Sequence, residues 1–293
     1  DSLFVFWAGN YDQRSSTWGS AFRSSWTDGN VFTGANQTEK TVLGYIFVPG
    51  ITVWSSVPPT VCSSTAIIHE TGHLLGLNDY YSYDSDDHTY AGIAITGGAG
   101  EGGLGTMDMM DSNIGDHNAF SKWLLGWIEP QVIDIDDVRQ LQEAVRTYTL
   151  RASNEQPDAL FIRLKTQGLD AKDCRTELFV VEVISKNLNG KTLARLSQPV
   201  VRILHVDSTV ADGGYASRRG FGFRYDNSYS DVKYIAPLEA DGEDYVLNWH
   251  ATSGNDKPNY EEKDYFKAGD VIGPNTPTQT PTTNTETPPC TRG

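Results

Sequence analysis

The segment HETGHLLGLND carries side chains that could bind a metal ion and activate water. On a helix, His69 and His73 are four positions apart and project from one face, one turn apart. Two imidazoles at that spacing can reach one tetrahedral metal ion. Glu70 adjoins the first histidine, where a carboxylate can take a proton from water that the metal activates. Gly76 allows a sharp turn that can bring Asp79 back as a third, anionic ligand.

The alternative interpretation is an amphipathic helix whose two histidines share a face by chance. The pattern His-Glu-x-x-His alone is moderate support for a metal site, but His-Glu-x-x-His-x-x-Gly-x-x-Asp fixes two further positions and favours zinc. We expect the helix to begin after a cap at Thr60 or Ser63 and to end near Leu77, with Gly76 as its stop. Its apolar positions are Ile67, Ile68, Leu74 and Leu75.

The segments around this helix predict a sheet before it and a second helix after it. Apolar runs at residues 3–8, 41–48 and 51–57 indicate strands, whereas TWGSAFRSSW fits a helix or a loop. Residues 80–106 show neither a helix nor a strand period and predict a long loop that is functional or mobile. HNAFSKWLLGW then predicts an amphipathic helix that ends at Pro130. Its apolar face would contain Phe120, Trp123, Leu124 and Trp127.

The sequence pattern changes after residue 130. The short β-branched or alternating runs TYTLRA, ALFIRLKT, ELFVVEVIS and PVVRILHVD predict a mostly β, sandwich-like domain over residues 131–273. Residues 274–293 are rich in threonine and proline and predict an extended linker without a core. Residues 1–130 would form the domain that carries the histidines. It begins within a predicted strand, so we expect an N-terminal part of this domain to precede the sequence.

The acidic composition of the chain limits the classes of partner. The formal net charge is −15, from 38 acidic and 23 basic residues. Such a surface repels phosphate backbones and anionic lipids, and no apolar run reaches the length of a bilayer span. We therefore expect neither nucleic-acid binding nor membrane insertion. Cys62, Cys174 and Cys290 allow at most one internal disulfide, and unpaired thiols are an equal alternative.

Two segments resemble a known family. HETGHLLGLNDYYS and GTMDMMDSNIGDHNAFSKWLLGWIEP are similar to the active-site region of the immune inhibitor A-like secreted metallopeptidases, which have metzincin-like active sites. The resemblance implies an α+β fold, in which a metzincin-like catalytic domain precedes the sandwich-like β domain. The catalytic domain would contain a twisted sheet, an active-site helix, a Met-turn and a backing helix. We also expect a monomer that is secreted or tethered to the cell surface.

The resemblance also implies roles for individual residues. The zinc ligands would be His69, His73 and Asp79. Glu70 would be the general base of a zinc endopeptidase that hydrolyses protein or peptide substrates. Met110 best matches the Met-turn methionine beneath the metal, with the adjacent Met109 as the alternative.

Other features leave their roles open. His117, in GDHNAF, is a candidate for lining the substrate cleft, with a supporting or surface role as the alternative. Acidic clusters in YDSDDH and ADGEDY could hold structural calcium, but neither has the spacing of an EF-hand loop, so a solvated acidic loop is the favoured interpretation. The clusters comprise Asp84, Asp86, Asp87, Asp241, Glu243 and Asp244.

Two other function classes remain. The first is an inactive peptidase-like adhesin or binding module, and the second is a zinc hydrolase that acts on a non-peptide bond. An intact Glu70 disfavours the first class, because the base is easily lost when catalysis is not needed. The resemblance to a Met-turn disfavours the second.

Overall fold

The structure is a computed structural model of the chain. It describes residues 2–7, 20–23, 31–33, 39–41, 44–49, 64–80, 88–90, 93–95, 104, 107–112, 115–135, 147–164, 177–188, 196–207, 234–241 and 262–270. These ranges include the predicted metal-binding segment and, apart from Lys165 and Thr166, the four predicted strand runs of the C-terminal half.

A three-stranded sheet precedes the metal-binding segment. Its strand order is β1 (Ser2–Trp7), β5 (Gly44–Pro49) and β2 (Ser20–Arg23). Strand β1 runs parallel to the central β5, and β2 runs antiparallel to it. A separate antiparallel pair consists of β3 (Val31–Thr33) and β4 (Glu39–Thr41).

This sheet confirms two predicted strands and corrects one prediction. Strands β1 and β5 correspond to the apolar runs at residues 3–8 and 41–48. TWGSAFRSSW, expected to be a helix or a loop, instead contains β2. All four residues of β2 pair with β5, and this long-range pairing outweighs the weak local preference. The predicted strand at residues 51–57 lies outside the described residues.

The metal-binding segment folds as helix α1 (Thr65–Leu75), which lies against β2 and β5. Its N-cap is Ser64, and the predicted caps Thr60 and Ser63 lie outside the described residues. The helix ends two residues earlier than predicted, because Gly76 adopts a left-handed conformation with a φ of 106°. Gly76 therefore stops the helix, as the sequence predicts.

The segment predicted to be a strandless loop contains two short strands. β6 (His88–Tyr90) and β7 (Ile93–Ile95) form an antiparallel pair within residues 80–106. The prediction is wrong at these positions. Strands of three residues are too short to show a recognisable alternation of apolar and polar side chains.

Two short helices follow. α2 (Met109–Ser112) contains both methionines of the DMMD segment. α3 (Ala119–Leu124) begins after Asn118, whose side chain accepts a hydrogen bond from the backbone amide of Ser121 at 2.9 Å. None of the helices within the described ranges is long and apolar enough to cross a membrane.

Helix α3 is shorter than the predicted helix over residues 117–127. It ends because Gly126 adopts a left-handed conformation with a φ of 71°. Phe120 is buried and Trp123 packs against the core, as predicted. Leu124 and Trp127 are 40% and 52% exposed, so the predicted apolar face is wrong for these two residues. They lie at and beyond the end of the helix, where its periodicity no longer applies.

A five-stranded mixed sheet forms the C-terminal half. Its strand order is β12 (Ile235–Pro237), β11 (Val200–Asp207), β10 (Glu177–Ile184), β9 (Leu160–Leu164) and β8 (Gln131–Ile135). Strands β8 and β9 are parallel, and the other neighbours are antiparallel. Buried and half-buried residues alternate along β10, so one face of this strand points into the core.

Three of the four predicted strand runs are confirmed as β9, β10 and β11. TYTLRA is not a strand. Only its Ala152 forms an isolated bridge, with Val183 of β10, beyond the residues of β10 that pair with β9. The described part of residues 131–273 contains one sheet. The sandwich-like arrangement therefore stays a prediction.

One hydrophobic core joins helix α3 to the five-stranded sheet. The ring of Trp123 packs edge-on against Phe161 of β9, with ring centroids 5.4 Å apart. The buried cluster includes residues from both sides of position 130, among them Leu77, Tyr80, Met110, Phe120, Phe161, Val180, Leu204 and Ile235. The two halves therefore stabilise each other, and the predicted domain boundary at residue 130 stays a prediction.

Candidate metal centre

Helix α1 holds its two histidines in fixed orientations. The Nδ1–H of His69 donates to the backbone carbonyl of Met109 at 2.7 Å, and the Nδ1–H of His73 donates to that of Leu77 at 2.9 Å. Because a carbonyl oxygen can only accept, these bonds select the tautomer with the proton on Nδ1. Each neutral ring then presents a lone pair on Nε2. The two Nε2 atoms lie 3.1 Å apart.

Asp79 completes a set of three donor atoms. Its Oδ1 lies 2.9 Å from Nε2 of His69 and 3.3 Å from Nε2 of His73, and all three side chains are buried. Around a tetrahedral zinc ion with bonds of about 2.0–2.1 Å, neighbouring ligand atoms lie roughly 3.3 Å apart. The observed separations are close to that value, so the three residues fit a zinc ion with three protein ligands.

The charges at this position also fit a cation. Oδ1 of Asp79 is buried and receives no hydrogen bond from the described residues. Three acceptor atoms that converge in a protein interior are costly to bury unless a proton or a cation lies among them. Burial alone would lower the pKa of His73, but the contact with Asp79 and its charge raise it. A proton on one Nε2 would satisfy only part of the cluster, whereas a divalent cation would satisfy all three atoms at once.

Glu70 is close to this cluster without belonging to it. It follows His69 on α1, and its side chain is buried. Its negative charge acts on His73 and contributes to the raised pKa of that imidazole. The three clustered ligand atoms come from other residues. Glu70 is therefore a buried carboxylate whose charge acts on a candidate ligand, and its role as the base stays a prediction.

Met110 packs against the backbone of α1 at Gly72. It is fully buried, and a β-carbon added at Gly72 would lie 2.5 Å from its Sδ. The backbone carbonyl of Met110 accepts a hydrogen bond from the amide of Tyr80 at 3.1 Å. Met109, the alternative Met-turn residue, supplies instead the carbonyl that orients His69. The structure thus gives the two methionines different tasks.

Substituting Gly72→Ala should destabilise the protein by about 1 kcal/mol. Overpacking costs about 1–3 kcal/mol, and the higher helix propensity of alanine offsets about 1 kcal/mol of that. In a Met110→Ala background the clash is absent, so the same substitution should become stabilising. Urea unfolding of the wild type, the two single variants and the double variant measures the sign of the effect of Gly72→Ala in each background. A stabilising effect of Gly72→Ala in the wild-type background would contradict the close packing.

Asp108 was not assigned a role from the sequence, yet it organises the turn that contains both methionines. Its Oδ1 accepts the amide of Met110 at 2.8 Å, and its Oδ2 accepts the backbone and side-chain amides of Asn118, both at 2.9 Å. Burial raises the pKa of Asp108 to about 6, although the charge of Arg202 and these hydrogen bonds oppose the shift. An aspartate that accepts the amide two residues further on forms an Asx-turn, and that pattern could have identified it.

Tyr80 is a second residue that the sequence analysis missed. It follows Asp79, is buried, and its hydroxyl forms a hydrogen bond with Oγ of Ser121 at 2.6 Å. Burial raises the pKa of Tyr80 well above its usual value. The tyrosine fixes the chain next to the third ligand. No local pattern marks this role, because Ser121 is 41 positions away.

His117 is buried on the side of α1 that contacts Met110, rather than exposed on the wall of a cleft. It is 4% exposed, its ring packs edge-on to Trp127 at 5.7 Å, and its Cε1 lies 3.4 Å from a β-carbon added at Gly72. Burial lowers the pKa of His117 to about 4, so the ring is neutral at pH 7. The role of His117 in lining the cleft stays a prediction.

Of the acidic residues considered for calcium, Asp241 lies within the described ranges. Its neighbours are Glu239 and Asp264, and one carboxylate oxygen of each residue lies within 4.8 Å of the others. Nζ of Lys263 lies 2.9 Å from Asp241 and 3.6 Å from Asp264, so a cationic side chain partly neutralises the group. Calcium stays a prediction. The remaining calcium candidates and the three cysteines lie outside the described residues: Asp84, Asp86, Asp87, Glu243, Asp244, Cys62, Cys174 and Cys290.

No family model, curated protein or solved structure matches this chain. The resemblance to the immune inhibitor A-like metallopeptidases therefore rests on the motif residues alone. The convergence of two imidazoles and one carboxylate is a separate observation, since it depends on contacts within this chain.

Proposed function

We propose that this chain is a zinc-dependent endopeptidase that hydrolyses peptide bonds of protein substrates. The observation that carries the proposal is the buried convergence of Nε2 of His69, Nε2 of His73 and Oδ1 of Asp79 within 2.9 to 3.3 Å of one another. Nitrogen and carboxylate ligands suit zinc. Three protein ligands leave one tetrahedral position open, which is typical of catalytic rather than structural zinc sites.

The proposed chemistry divides between the metal and Glu70. When held by His69, His73 and Asp79, a zinc ion would supply Lewis acidity toward the scissile carbonyl and would lower the pKa of a water molecule. Glu70 accepts the proton of the attacking water on its carboxylate and then delivers it to the leaving amine nitrogen. The position of Glu70 supports this role, because its buried carboxylate follows a proposed ligand on α1 without being one of the three clustered ligand atoms.

The backbone supports the two histidines in their proposed role. The carbonyls of Met109 and Leu77 accept the Nδ1–H groups of His69 and His73, which directs both Nε2 atoms toward Asp79. Such hydrogen bonds fix the orientation of metal-binding imidazoles and increase their basicity. The donor set is thus arranged by the chain itself.

The alternative is an inactive peptidase-like adhesin or binding module, which would bind zinc without hydrolysis. A buried Glu70 beside the donor set favours the enzyme. A zinc hydrolase of non-peptide bonds would share the same donor set, and the resemblance of the DMMD segment to a Met-turn favours a peptidase over it. The same resemblance supports a secreted or surface-tethered location, which we include in the proposal.

Zinc loading tests the proposal directly. Protein that is loaded with zinc and dialysed should contain about one zinc ion per chain and should cleave casein. Phenanthroline should abolish the cleavage, and added zinc should restore it. His73→Ala should lose both zinc and activity. Elemental analysis and a casein assay measure the two properties separately.

The outcomes separate the candidate functions. A wild-type chain that stays metal-free after loading contradicts the metal site. Stoichiometric zinc without cleavage of casein or of a peptide library contradicts the peptidase. That second result favours the binding module or a hydrolase of another bond.

A further inference from the structure

The orientation of His69 depends on a distant backbone carbonyl. Its Nδ1–H donates to Met109, 40 positions away, at 2.7 Å. His73 differs, because its Nδ1–H donates to Leu77, four positions further along the same segment. The orientation of His73 is therefore set locally. That of His69 is fixed only if the turn at residues 107–110 is itself held in place.

Asp108 shapes this turn from within. It accepts the amide of Met110 at 2.8 Å and two hydrogen bonds from Asn118 at 2.9 Å each. These bonds connect neighbouring segments of the chain. They define the conformation of the turn, and its attachment to the sheet requires a further contact.

Arg202, on strand β11, makes that contact. Its Nη1 donates to the backbone carbonyl of Met107 at 2.7 Å, and its Nη2 lies 4.0 Å from Oδ2 of Asp108. Arg202 is 95 positions from Met107 in sequence and is 2% exposed. A charged donor to a carbonyl in the interior is a strong hydrogen bond, so this contact can hold the turn against the sheet.

Glu182 sets the direction of the guanidinium. It lies opposite Arg202 in the β10–β11 pair, and its Oε1 accepts from Nε at 2.9 Å and from Nη2 at 2.8 Å. Oγ of Ser153 donates to its other oxygen at 2.5 Å. Because Glu182 engages Nε and Nη2, Nη1 of Arg202 points toward the backbone carbonyl of Met107. A buried ion pair does not by itself indicate a gain in stability, because hydrophobic residues of similar volume often stabilise a fold equally well.

We propose that Arg202, oriented by Glu182, is a positioning residue of the metal centre. It fixes the turn at residues 107–110, and thereby the Met109 carbonyl that orients His69. The inference rests on the proposed function, since His69 is a proposed zinc ligand, but the hydrogen bond at its centre exists without a metal. The five-stranded sheet is then part of the scaffold of the site.

Imidazole hydrogen exchange in the metal-free protein tests this inference. In Arg202→Met, the exchange of the His69 Nδ1–H should accelerate by roughly tenfold or more, because the turn loses a charge-assisted hydrogen bond. The His73 Nδ1–H should change little and serves as an internal reference. NMR of protein with 15N-labelled histidine reports both groups. Equal acceleration at the two rings, or no acceleration at His69, would overturn the proposal.

Two further variants separate positioning from stability. Arg202→Met combined with Glu182→Leu removes the unpaired buried charge and should regain stability, yet it should keep the fast exchange at His69. Arg163→Met removes a different ion pair of the same sheet, with Asp134 at 2.6 Å, and should leave His69 protected. Restored protection of His69 in the double variant would show that stability alone controls the exchange.

Metal affinity gives the second readout. Arg202→Met should weaken zinc binding by about 10- to 100-fold and change the visible absorption of bound Co²⁺, whereas Arg163→Met should do neither. Unchanged affinity and spectrum in Arg202→Met would overturn the link to the metal centre. If the wild-type chain binds no metal, the proposed function fails, and the exchange of His69 relative to His73 still decides whether Arg202 positions it.

Discussion

Removing the metal should lower the melting temperature by about 10 °C. Zinc binds the folded state, in which two Nε2 atoms and Oδ1 of Asp79 lie within 3.3 Å of one another. A ligand at 1,000 times its Kd stabilises the folded state by about 4 kcal/mol. Each kcal/mol shifts the melting temperature of a chain of this size by roughly 2–4 °C. Calorimetry of zinc-loaded and chelator-treated protein measures the shift.

Two histidine variants control for effects of the chelator elsewhere. His73→Ala removes one ligand, so its melting temperature should no longer respond to zinc or to the chelator. His205→Ala should keep the full response, because His205 pairs with Glu177 at 2.8 Å on the five-stranded sheet. Equal melting temperatures of the loaded and metal-free wild-type protein would contradict a tightly bound metal at this position.

The helix of the candidate site could be predicted because its information is local. The four-residue spacing of the histidines places them on one face of α1, and Gly76 stops the helix in the left-handed conformation that the sequence suggests. Because the chain turns at Gly76, Asp79 can lie close to the two histidines. Strands β9, β10 and β11 were recognisable for a similar reason, since each carries its own β-branched or alternating run.

The parts that the sequence did not reveal depend on distant partners. β2 is a strand because it pairs with β5, whereas in TYTLRA only Ala152 pairs with another segment, through an isolated bridge to Val183. Arg202 reads as an ordinary residue of an alternating strand, although it contacts Met107 from 95 positions away. The face of α3 was mispredicted because helical periodicity was applied up to the last residue of the helix, Leu124, and beyond Gly126 to Trp127.

This difference between local and long-range information explains why the ligands were easier to predict than the hydrogen bonds that orient them. A metal site needs a few side chains of defined type, and their spacing is visible in the sequence. The hydrogen bonds that orient those side chains use backbone carbonyls, such as those of Met109 and Leu77, which any residue type can supply. Residue identity therefore carries little information about them.

Glu70→Gln should lower kcat/KM for peptide hydrolysis by roughly 10²–10⁴-fold while leaving zinc binding unchanged. Glutamine has nearly the same shape as glutamate and can still form hydrogen bonds, but it cannot accept a proton from water. The three ligand atoms belong to His69, His73 and Asp79, so the donor set remains complete. Steady-state kinetics on a fluorogenic peptide and elemental analysis measure the two properties.

A matched carboxylate variant shows whether the loss comes from the proton or from disturbed packing. Glu70→Asp keeps the base but withdraws it by about one methylene, and a misplacement near 1 Å can cost roughly 10²-fold. We therefore expect the order wild type, Glu70→Asp, Glu70→Gln, with the pH profile of the aspartate variant still showing a titrating base. If Glu70→Gln cleaves the peptide as fast as the wild type, Glu70 is not the base. If the two variants are equally inactive and both have lost zinc, Glu70 supports the ligands instead of moving a proton.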